Sequence, residues 1–398
     1  FKRDLFAELY DFLDKNKLVG VINGPRRIGK TYLLKQLISK LCYDNPKFAK
    51  NTLYFSFSTA MDERDIITKL IGVFLSKYAD SSEKIYVFLD EVQYLSYWQD
   101  QIKQLYDREL PIKFILTGST SLFYGAKSKE SLLGRIEKFN LLPLNFGEYL
   151  EFKGMPRPKF DRGDFVSRLS IFRLEFKKYL AYGQLPEMVI NSGIEPKKYL
   201  MDMVETLINF DVPYMYAKLD RTLFSNLVKS LSFSIANEFS LSKTAKGLES
   251  DRQTITTYLQ ILQEIGLFSP CLNSYYQSMR ARLSASKKIY TTNTNLTLAT
   301  NGFDGSYLND SRIMGQYAEN YVHLRLKEKY EQKIEYFSDK RREVDFVTHD
   351  GVWEVKYGEV GDMDKYIEIS QRLKKPLTII TENEMSDGQV KKLPIYLL

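Results

Sequence analysis

The chain has 398 residues, of which 44% are hydrophobic and 27% are charged, and its formal net charge is +7. This composition lies near the average for globular proteins, so it favours neither a disordered nor a fibrous chain. The length predicts about two to four domains, each large enough to bury a core of its own. The modest positive charge permits contact with a nucleic-acid backbone without requiring it.

The cysteine spacing indicates a reducing compartment, and the hydropathy indicates that no segment spans a membrane. Cys42 and Cys271 lie far apart without CxxC spacing, which excludes a zinc cluster and argues against a disulfide framework. No stretch approaches the roughly 18–20 uninterrupted apolar residues of a membrane span, and the first residues lack the apolar segment of a signal peptide. We therefore expect a cytoplasmic protein with no membrane partner.

The segment that follows the first predicted strand has the pattern of a phosphate-binding loop. Leu18–Ile22 is a short apolar run that predicts a buried strand, and Gly24–Thr31 follows it with the sequence Gly-Pro-Arg-Arg-Ile-Gly-Lys-Thr. Apolar side chains at helical spacing then run from Leu33 to Leu41. A strand, a glycine loop and a helix in this order bring backbone N–H groups and a helix N-terminus onto the phosphates of a nucleotide. This context disfavours the alternative, a tight strand-to-helix turn without a ligand.

The last two residues of the loop have separate predicted roles. We expect Lys30 to neutralise the β and γ phosphates of ATP and Thr31 to bind Mg²⁺ through its hydroxyl. Arg26 and Arg27 either reach phosphate or remain solvated. The predicted nucleotide-binding residues are Gly24, Pro25, Arg26, Arg27, Ile28, Gly29, Lys30, Thr31 and Tyr32, together with Ser119 from a later strand.

A second apolar strand, Lys84–Leu89, ends in two carboxylates, Asp90 and Glu91. Its apolar side chains on both faces indicate a strand that is covered on both sides. We expect Asp90 to hold Mg²⁺, directly or through water, and Glu91 to polarise the water that attacks the γ-phosphate. The alternative is that the acidic pair only caps a helix beginning near Gln93. The phosphate-binding loop upstream favours the catalytic interpretation.

The next predicted strand, Ile112–Thr117, is followed by the small residues Gly-Ser-Thr-Ser at positions 118–121. A hydroxyl at this edge of the sheet can sense the γ-phosphate from between the two preceding motifs. Ser119 is the first candidate for this role, and Thr117 is the second.

Two further elements complete a predicted α/β domain. Asn51–Phe57 has the composition of a strand, and residues 63–77 have an amphipathic pattern that predicts a covering helix. Together with the other strands they predict a doubly wound parallel sheet that binds the nucleotide at its carboxyl edge.

The motifs, taken in order, resemble those of a branch of the AAA+ superfamily. The segments that carry the resemblance are the loop at 24–31, Leu-Asp-Glu-Val-Gln at 89–93, Thr-Gly-Ser-Thr-Ser at 117–121, Leu-Leu-Gly-Arg at 132–135, Leu-Pro-Leu-Asn-Phe-Gly-Glu-Tyr at 142–149 and Tyr-Leu-Ala-Tyr-Gly-Gln-Leu-Pro-Glu at 179–187. Over nearly its whole length the chain is similar to a prokaryotic AAA+-like ATPase family that has a helical lid, a winged helix and a C-terminal PD-(D/E)XK nuclease-like domain. The resemblance implies a P-loop domain at residues 1–145, a lid at 146–220, a winged helix at 221–290 and an α/β nuclease-like domain at 291–398.

The resemblance also implies a role for Arg135, as an arginine finger that stabilises charge on the γ-phosphate in a neighbouring subunit. This role requires a homo-oligomer. The alternative is that Arg135 pairs with a nearby carboxylate of its own chain.

A helix, a short polar turn and a second helix between residues 242 and 265 are typical of a winged helix. The outward residues at the start of the second helix would contact DNA bases, and they are Arg252, Gln253, Thr256 and Thr257. The basic residues that could meet phosphates are Lys243, Lys246, Arg280, Arg282, Lys287 and Lys288. The alternative is a winged helix that packs only against proteins.

The last third of the chain predicts a second site on a β-hairpin. The predicted elements are a helix beginning at 315–322 and strands at 334–337, 343–348 and 352–357. Asp350–Gly351 is a strong hairpin signal, and a turn there would set Asp345 opposite Lys356. The period of two places both side chains and Glu354 on one face of the hairpin.

These side chains, with Glu319 from the preceding helix, resemble the core of a PD-(D/E)XK nuclease. The resemblance implies that Glu319, Asp345 and Glu354 bind Mg²⁺ or Mn²⁺. It also implies that Lys356 positions or activates the hydrolytic water. The alternative is a hairpin with one solvated face and a lysine–carboxylate pair.

Two functions follow from these patterns. In the first, ATP hydrolysis in a homo-oligomer delivers DNA to a magnesium-dependent nuclease site in the C-terminal domain. In the second, the chain is an ATP-dependent switch or scaffold whose nuclease-like domain binds DNA or protein without cutting. ATP and ADP are predicted ligands in both.

Overall fold

The computed structural model divides into two units, each of which has an apolar core of its own. It describes residues 1–57, 64–80, 83–119, 132–159, 161–216, 218–330, 334–339, 341–388 and 390–398. The first unit comprises Phe1–Pro143 with Glu264–Gly266, and the second comprises Leu144–Gln263 with Leu267–Leu398. None of the helices formed by the described residues is long and apolar enough to cross a membrane.

A parallel sheet organises the first unit. Its strands are β1 (Val19–Asn23), β2 (Thr52–Ser56), β3 (Ile85–Asp90), β4 (Ile112–Gly118) and β5 (Ile136–Asn140), in the spatial order β2-β3-β4-β1-β5. Every neighbouring pair in this sheet is parallel. The predicted α/β fold with a parallel sheet is therefore confirmed, and the carboxyl ends of its strands lie at one edge.

The helices of this unit are α1 (Leu5–Lys15), α2 (Lys30–Asp44), α3 (Ile66–Lys77) and α4 (Trp98–Asp107). Strands β1 and β3 are buried along their whole length, as their continuous apolar sequences predict. The core that they share with α3 and α4 includes Ile71, Trp98 and Phe114. This packing holds the ends of β1, β3 and β4 in fixed positions.

The edge strand β5 is an element that the sequence analysis did not predict. In its sequence, Ile-Glu-Lys-Phe-Asn, Glu137 and Lys138 are exposed and Phe139 is buried. Charged side chains suit an edge strand because they discourage pairing with another chain. The same charges interrupt the continuous apolar run that identified the other four strands, which is why β5 was missed. Where the observed bounds of β1, β2, β3 and β4 differ from the predicted ones, they differ by one residue.

A nine-stranded sheet organises the second unit. Its strands are β6 (Glu238–Phe239), β7 (Phe268–Asn273), β8 (Lys287–Thr291), β9 (Glu335–Ser338), β10 (Glu343–Val347), β11 (Val352–Lys356), β12 (Leu377–Thr381), β13 (Ser386–Asp387) and β14 (Lys391–Pro394). Their spatial order is β13-β14-β12-β11-β10-β9-β7-β8-β6. The helices after Pro143 are α5 (Phe146–Phe152), α6 (Arg162–Tyr182), α7 (Pro186–Ile190), α8 (Pro196–Thr206), α9 (Val212–Met215), α10 (Arg221–Phe233), α11 (Leu241–Gly247), α12 (Arg252–Glu264), α13 (Met279–Ser284), α14 (Thr294–Thr300), α15 (Ser311–Tyr330) and α16 (Asp364–Leu373).

Strand β7 joins the two halves of this sheet. It pairs antiparallel with β8, where Pro270 lies opposite Ile289, and parallel with β9, where Leu272 lies opposite Glu335. Strand β8 pairs in turn with β6, and β9 leads through β10 and β11 to β12. The strands between residues 238 and 291 therefore share one hydrogen-bonded sheet with the C-terminal strands.

Helices α5 and α6 pack into the same core as the C-terminal part of the chain. Phe146 and Phe176 stand edge to face, with ring centres 5.2 Å apart. Phe176 meets Tyr321 of α15 at 5.1 Å and Tyr396 at 5.3 Å. The aromatic side chains of the predicted lid thus belong to one cluster with those of α15 and the C-terminus.

A buried polar junction fixes the end of α6 against the start of α14. The Asn295 amide donates to the carbonyls of Tyr179 at 3.2 Å and Leu180 at 2.8 Å, and its oxygen accepts the N–H of Gln184 at 2.9 Å. The Gln184 side-chain oxygen accepts the N–H of Thr294 at 2.7 Å. Side chains thereby satisfy carbonyls that the last turn of a helix leaves unpaired.

Candidate functional site

The loop between β1 and α2 needs glycine at Gly24 and a left-handed backbone near its end. A Cβ atom at Gly24 would lie 2.3 Å from the carbonyl oxygen of Leu141 and 2.5 Å from Cδ1 of Ile28, so a side chain cannot fit. Gly29 has a φ of 98° and Arg27 a φ of 62°, values that glycine adopts most readily. These turns bring the chain sharply from β1 into the N-terminus of α2.

Lys30, the first residue of α2, is folded over this loop. Its Nζ donates to the carbonyls of Gly24 at 3.0 Å and Pro25 at 2.9 Å, and it lies 4.0 Å from Glu91 Oε1. Burial lowers the pKa of the Lys30 ammonium, and the neighbouring carboxylates of Glu91 and Asp90 offset this only in part. The predicted phosphate-neutralising lysine is therefore buried at the loop and surrounded by acceptors.

The Asp90 carboxylate accepts hydrogen bonds from hydroxyl groups of three other elements. Thr31 Oγ1 of α2 donates to Asp90 Oδ2 at 2.7 Å, and the Tyr54 hydroxyl of β2 donates to the same oxygen at 3.2 Å. Thr117 Oγ1 of β4 donates to Asp90 Oδ1. Asp90 itself is 1% exposed. The two predicted magnesium ligands, Thr31 and Asp90, are thus in direct contact.

Glu91 has a strained backbone that is held by two hydrogen bonds. Its φ is 57°, a left-handed value that is unusual for a residue with a side chain. The Glu91 N–H donates to Thr117 Oγ1 at 3.0 Å, and its Oε2 accepts a hydrogen bond from Gln93 Nε2. The Gln93 side-chain oxygen accepts the N–H of Ser119 at 3.3 Å. Gln93 therefore connects the Glu91 carboxylate to the end of β4.

The structure favours Thr117 over Ser119 as the hydroxyl at the centre of the site. Thr117 is fully buried and contacts both Asp90 and Glu91, whereas the contact between Ser119 and Gln93 uses the serine backbone. A γ-phosphate contact for Ser119 stays a prediction. The two residues that follow in the motif, at 120 and 121, lie outside the described part of the chain.

The other predicted nucleotide and finger residues lie in two places, since Arg26 and Tyr32 belong to the loop and to α2 whereas Arg135 directly precedes β5. Arg26 donates to the hydroxyl of Tyr94 at 2.9 Å, and Tyr32 is 63% exposed. Arg135 Nε lies 3.0 Å from Asp107 Oδ1, which is the ion pair considered as the alternative to an arginine finger. Such partly exposed pairs contribute roughly 0–1 kcal/mol, so this one leaves the guanidinium available for exchange.

Sequence reasoning missed Tyr54 and Gln93. Gln93 belongs to the Leu-Asp-Glu-Val-Gln motif, and its amide two residues after Glu91 is the signal that could have revealed it. Tyr54 reaches Asp90 because β2 pairs with β3 in a register that sets Ser56 opposite Asp90. No local pattern marks such a contact, since it depends on which strands are neighbours.

The C-terminal hairpin of β10 and β11 has a register that differs by two residues from the predicted one. Val347 lies opposite Val352, which sets Asp345 opposite Glu354 and not opposite Lys356. The predicted register is therefore wrong. Because a shift of two residues conserves the alternation of faces, Asp345, Glu354 and Lys356 still lie on one face.

The turn of this hairpin explains the difference. It is centred on His349 and Asp350, and the Thr348 N–H donates to the carbonyl of Gly351 at 2.9 Å. The Asp350 carboxylate accepts hydrogen bonds from Thr348 Oγ1 at 2.8 Å and from the Tyr330 hydroxyl at 2.9 Å. Neither Asp350 nor Gly351 has a positive φ, so the Asp-Gly pair does not form the type I′ turn that it predicts.

The predicted metal ligands come together around a lysine that was expected to contact phosphate. Lys288 Nζ lies 3.0 Å from both Glu319 Oε1 and Asp345 Oδ1, and 2.8 Å from Glu343 Oε1. Its side chain is 4% exposed, so the predicted phosphate contact is wrong for Lys288. Burial alone would lower the pKa of this ammonium, but the three carboxylates more than offset it and raise the pKa.

Glu354 and Lys356 complete this cluster. Glu354 Oε1 accepts a hydrogen bond from Lys356 Nζ, and Glu354 Oε2 accepts the N–H of Asp345 at 3.3 Å. Asp345 Oδ2 accepts the N–H of Val355 at 2.9 Å. Burial, reinforced by the Asp345 carboxylate, raises the pKa of Glu319 to about 8 and that of Glu354 to about 7. Among the described residues, no group of three or more His, Cys, Asp or Glu side chains is arranged to hold a metal ion.

The residues predicted to contact DNA divide into buried and exposed ones. Lys287 is 6% exposed and its Nζ donates to the carbonyl of Leu283 at 2.7 Å, so a phosphate contact at Lys287 is also wrong. Arg282 and Thr256 are half-buried. The exposed members are Lys243, Lys246, Arg252, Gln253, Thr257 and Arg280.

Two family models match the chain. Residues 16–150 match the AAA domain family, and residues 173–307 match a domain of unknown function (DUF8612). The first match contains β1 to β5 and the whole of the loop and carboxylate geometry around Asp90 and Glu91.

Curated relatives extend the similarity beyond these domains. The uncharacterized protein MJ1544 of Methanocaldococcus jannaschii is 27% identical over 351 residues, which cover 83% of this chain and 71% of that protein. The uncharacterized protein MJ1637 of the same organism is 28% identical over 320 residues, covering 73% of this chain and 64% of that protein. An uncharacterized protein of Haemophilus influenzae is 25% identical over 280 residues, covering 67% of this chain and 65% of that protein. The matches therefore span about two thirds of the length of the last two relatives.

Solved structures show a partial likeness. The ORC2 protein of Aeropyrum pernix aligns with 78% of this chain and 93% of its own, at 11% identity and a TM-score of 0.41. DnaA from Aquifex aeolicus aligns with 66% of this chain and 86% of its own, at 15% identity and a TM-score of 0.29. Taken with the family match, the parallel sheet and its loop identify residues 16–150 as an AAA domain.

Proposed function

We propose that the first unit binds ATP with Mg²⁺ and hydrolyses the nucleotide. The observation that carries this proposal is the convergence of Lys30, Thr31 and Asp90 beside Glu91, at the carboxyl edge of a parallel sheet. Mg²⁺ prefers oxygen ligands, and the Thr31 hydroxyl and Asp90 carboxylate, 2.7 Å apart, are a donor set that fits it. When bound with ATP, Mg²⁺ neutralises charge on the β and γ phosphates.

Lys30 supplies the second positive charge at these phosphates. Its ammonium is held by the carbonyls of Gly24 and Pro25, on the inside of the loop that would cradle the nucleotide. Phosphate oxygens carry charge and accept stronger hydrogen bonds than carbonyls do. We therefore expect Lys30 to exchange these carbonyls for phosphate when ATP binds.

Glu91 orients the attacking water and takes up its proton. Gln93 holds one carboxylate oxygen of Glu91, while the other oxygen points toward Lys30 at 4.0 Å. This division fixes the direction of the carboxylate and leaves Oε1 to the water, in the way that a third group orients a general base. The Thr117 hydroxyl supports this arrangement because it donates to the Asp90 carboxylate and accepts the N–H of Glu91.

Replacing the lysine or the glutamate should abolish ATP hydrolysis for different reasons. Lys30→Ala removes a charge that acts on the phosphates, and Glu91→Gln removes the proton acceptor. Each should lower phosphate release at saturating ATP about 100-fold or more. Glu91→Gln should keep nucleotide affinity, measured with a fluorescent ATP analogue, within about threefold, because it leaves the loop intact.

The matched control for this experiment is Lys77→Ala, at an exposed lysine of α3. It should leave phosphate release unchanged. Circular dichroism and thermal melting should report a folded Lys30→Ala protein, and unchanged hydrolysis in that protein would contradict the ATPase assignment.

A substitution at Thr117 tests which hydroxyl supports the hydrolytic carboxylates. Thr117→Val keeps the shape of the side chain but removes its hydrogen bonds to Asp90 and Glu91. We expect phosphate release to fall about tenfold or more, from loss of preorganisation, with a smaller change in ATP affinity. Thr117→Ser should recover most of the rate. A larger loss in Ser119→Ala than in Thr117→Val would instead assign the role to Ser119.

We further propose that Arg135 acts on the nucleotide of a neighbouring subunit in a homo-oligomer. Its ion pair with Asp107 is partly exposed and contributes little energy, so a γ-phosphate can replace the carboxylate. Arg135 also directly precedes β5, the edge strand of the sheet. Its N–H donates to the carbonyl of Leu132, and its carbonyl accepts the N–H of Val19. An edge position suits a residue that serves another chain.

Mixing two inactive variants tests this role. Arg135→Ala lacks the finger and Glu91→Gln lacks the base, and an arginine finger contributes roughly 1,000-fold or more to hydrolysis. A mixed oligomer contains sites in which an Arg135→Ala subunit supplies Glu91 and its neighbour supplies Arg135. Phosphate release should therefore rise on mixing. Asp107→Asn, which frees Arg135 from its partner, should remain active, and no recovery on mixing would exclude a finger in trans.

For the second unit we propose a winged helix from α10 to β8 and a PD-(D/E)XK-like fold from α15 onward, which together bind DNA without cutting it. The element order α10, β6, α11, α12, β7, α13, β8 supports the first part. Exposed Arg252 and Gln253 at the start of α12 support a nucleic-acid contact. The contacts of Lys288 with Glu319 and Asp345 favour binding over cleavage.

Arg252→Glu tests the DNA contact. A charge reversal at the start of α12 should weaken binding to duplex DNA about tenfold or more at low salt, and wild-type affinity should fall steeply as salt rises. Lys77→Glu changes the net charge equally in the first unit and serves as the control. Equal losses in the two variants would contradict a specific contact at Arg252.

The same preparation should cut neither linear, circular nor single-stranded DNA with Mg²⁺ or Mn²⁺. Cleavage that Asp345→Ala removes, with ATP hydrolysis unaffected, would restore the nuclease function as the better proposal. ATP hydrolysis is measured in parallel, so a failure of the first proposal is distinguishable from a failure of this one.

A further inference from the structure

The acidic cluster of the second unit, formed by Glu319, Glu343, Asp345 and Glu354, is built around the ammonium group of Lys288. The carboxylates belong to α15, β10 and β11, whereas Lys288 belongs to β8. An ammonium group has three N–H donors, and carboxylate oxygens of three residues lie within 3.0 Å of this one. The lysine is therefore enclosed by the number of acceptors that its charge and geometry require.

Lys288 reaches these acids across the face of the sheet. Strands β7 and β9 lie between β8 and β10, so the backbones of β8 and β10 are roughly 14 Å apart at ordinary strand spacing. Lys288 Nζ lies 5.8 Å from the ring centre of Tyr336 on β9. The Tyr290 hydroxyl, two residues along β8, donates to Glu319 Oε1 at 2.7 Å. Two side chains of β8 thus donate to the same oxygen of Glu319.

All four carboxylate oxygens of Asp345 and Glu354, two of the three predicted metal ligands, already have partners. Asp345 has one oxygen on Lys288 and the other on the N–H of Val355. Both oxygens of Glu354 accept hydrogen bonds, from Lys356 and from the Asp345 N–H.

A divalent metal does not fit this arrangement. Mg²⁺ demands close, nearly octahedral oxygen ligands, and a metal held by Glu319 and Asp345 would lie within a few ångströms of the Lys288 ammonium. Two cations in one buried pocket repel strongly because little water screens them. In the described part of the chain, no group of three or more His, Cys, Asp or Glu side chains, this cluster included, is arranged to hold a metal ion.

We propose that Lys288 is the built-in cation of this cluster, that it takes the place of a divalent metal, and that it locks β8 to α15 and β10. The second unit then keeps a nuclease-like arrangement of acids whose charge is neutralised from within. This inference deepens the proposal of binding without cleavage, and it does not depend on ATP hydrolysis in the first unit.

The test is Mn²⁺ binding by the full-length chain without nucleotide, measured by calorimetry and by electron paramagnetic resonance. Lys288→Met removes the charge and keeps most of the side-chain volume. Lys288→Met should gain a Mn²⁺ site that the wild type lacks, with an affinity at least tenfold above any Mn²⁺ binding that wild type and Asp345→Asn share. The double variant Lys288→Met/Asp345→Asn should lose the gained site. Lys288→Arg, which keeps the charge, should not gain it.

Thermal melting supplies a second readout. Lys288→Met should melt at a lower temperature than the wild type, and Mn²⁺ should raise its melting temperature while leaving that of the wild type unchanged. If Lys288→Met does not fold, the comparison of Mn²⁺ binding between the wild type and Asp345→Asn decides the question. A wild-type Mn²⁺ site that Asp345→Asn removes would overturn the proposal, as would a folded Lys288→Met that binds Mn²⁺ no better than the wild type. ATP hydrolysis should be equal in wild type and Lys288→Met.

Discussion

The Asp90 carboxylate holds the carboxyl edge of the first sheet together. Hydroxyl groups from α2, β2 and β4 converge on its two oxygens, so the phosphate loop and three strand ends share one buried acceptor. Each of these contacts is a hydroxyl that donates to a carboxylate oxygen, and oxygen atoms are the ligands that Mg²⁺ prefers. Thr117, one of these hydroxyl groups, also accepts the N–H of Glu91, so the residue with the left-handed backbone is tied to the same contact.

The second unit uses a buried carboxylate in the opposite way. Asp345 is also buried and also joins several elements, but one of its partners is an ammonium group and another is a backbone N–H. Its charge is balanced within the protein. The two units therefore differ in what surrounds the acid, which is a set of hydroxyl groups in the first unit and an ammonium group of the chain itself in the second.

The sequence allowed the first of these sites to be predicted far better than the second. The phosphate loop and the strand that ends in Asp90 and Glu91 are local patterns, and the structure brings them together as expected. Contacts that depend on strand neighbours, such as Tyr54 with Asp90, leave no local pattern.

In the second unit the errors have similar causes. The faces of the β10–β11 hairpin were predictable because the strand period is two, but its register depended on how Asp350 is bonded in the turn. Lys288 was misjudged because a basic residue next to another basic residue is usually exposed. Its acids lie between 31 and 57 positions away in sequence, and only the sheet order places them within reach.

The pairing of β7 with β9 has a consequence for how such chains can be inherited. A recombination event that exchanged the segment from β6 to β8 for an unrelated one would leave β9 as an exposed edge, and exposed edges promote aggregation. It would also remove Lys288, the positive charge that pairs with three carboxylates. The segment and the C-terminal strands are therefore expected to be inherited together, as one piece.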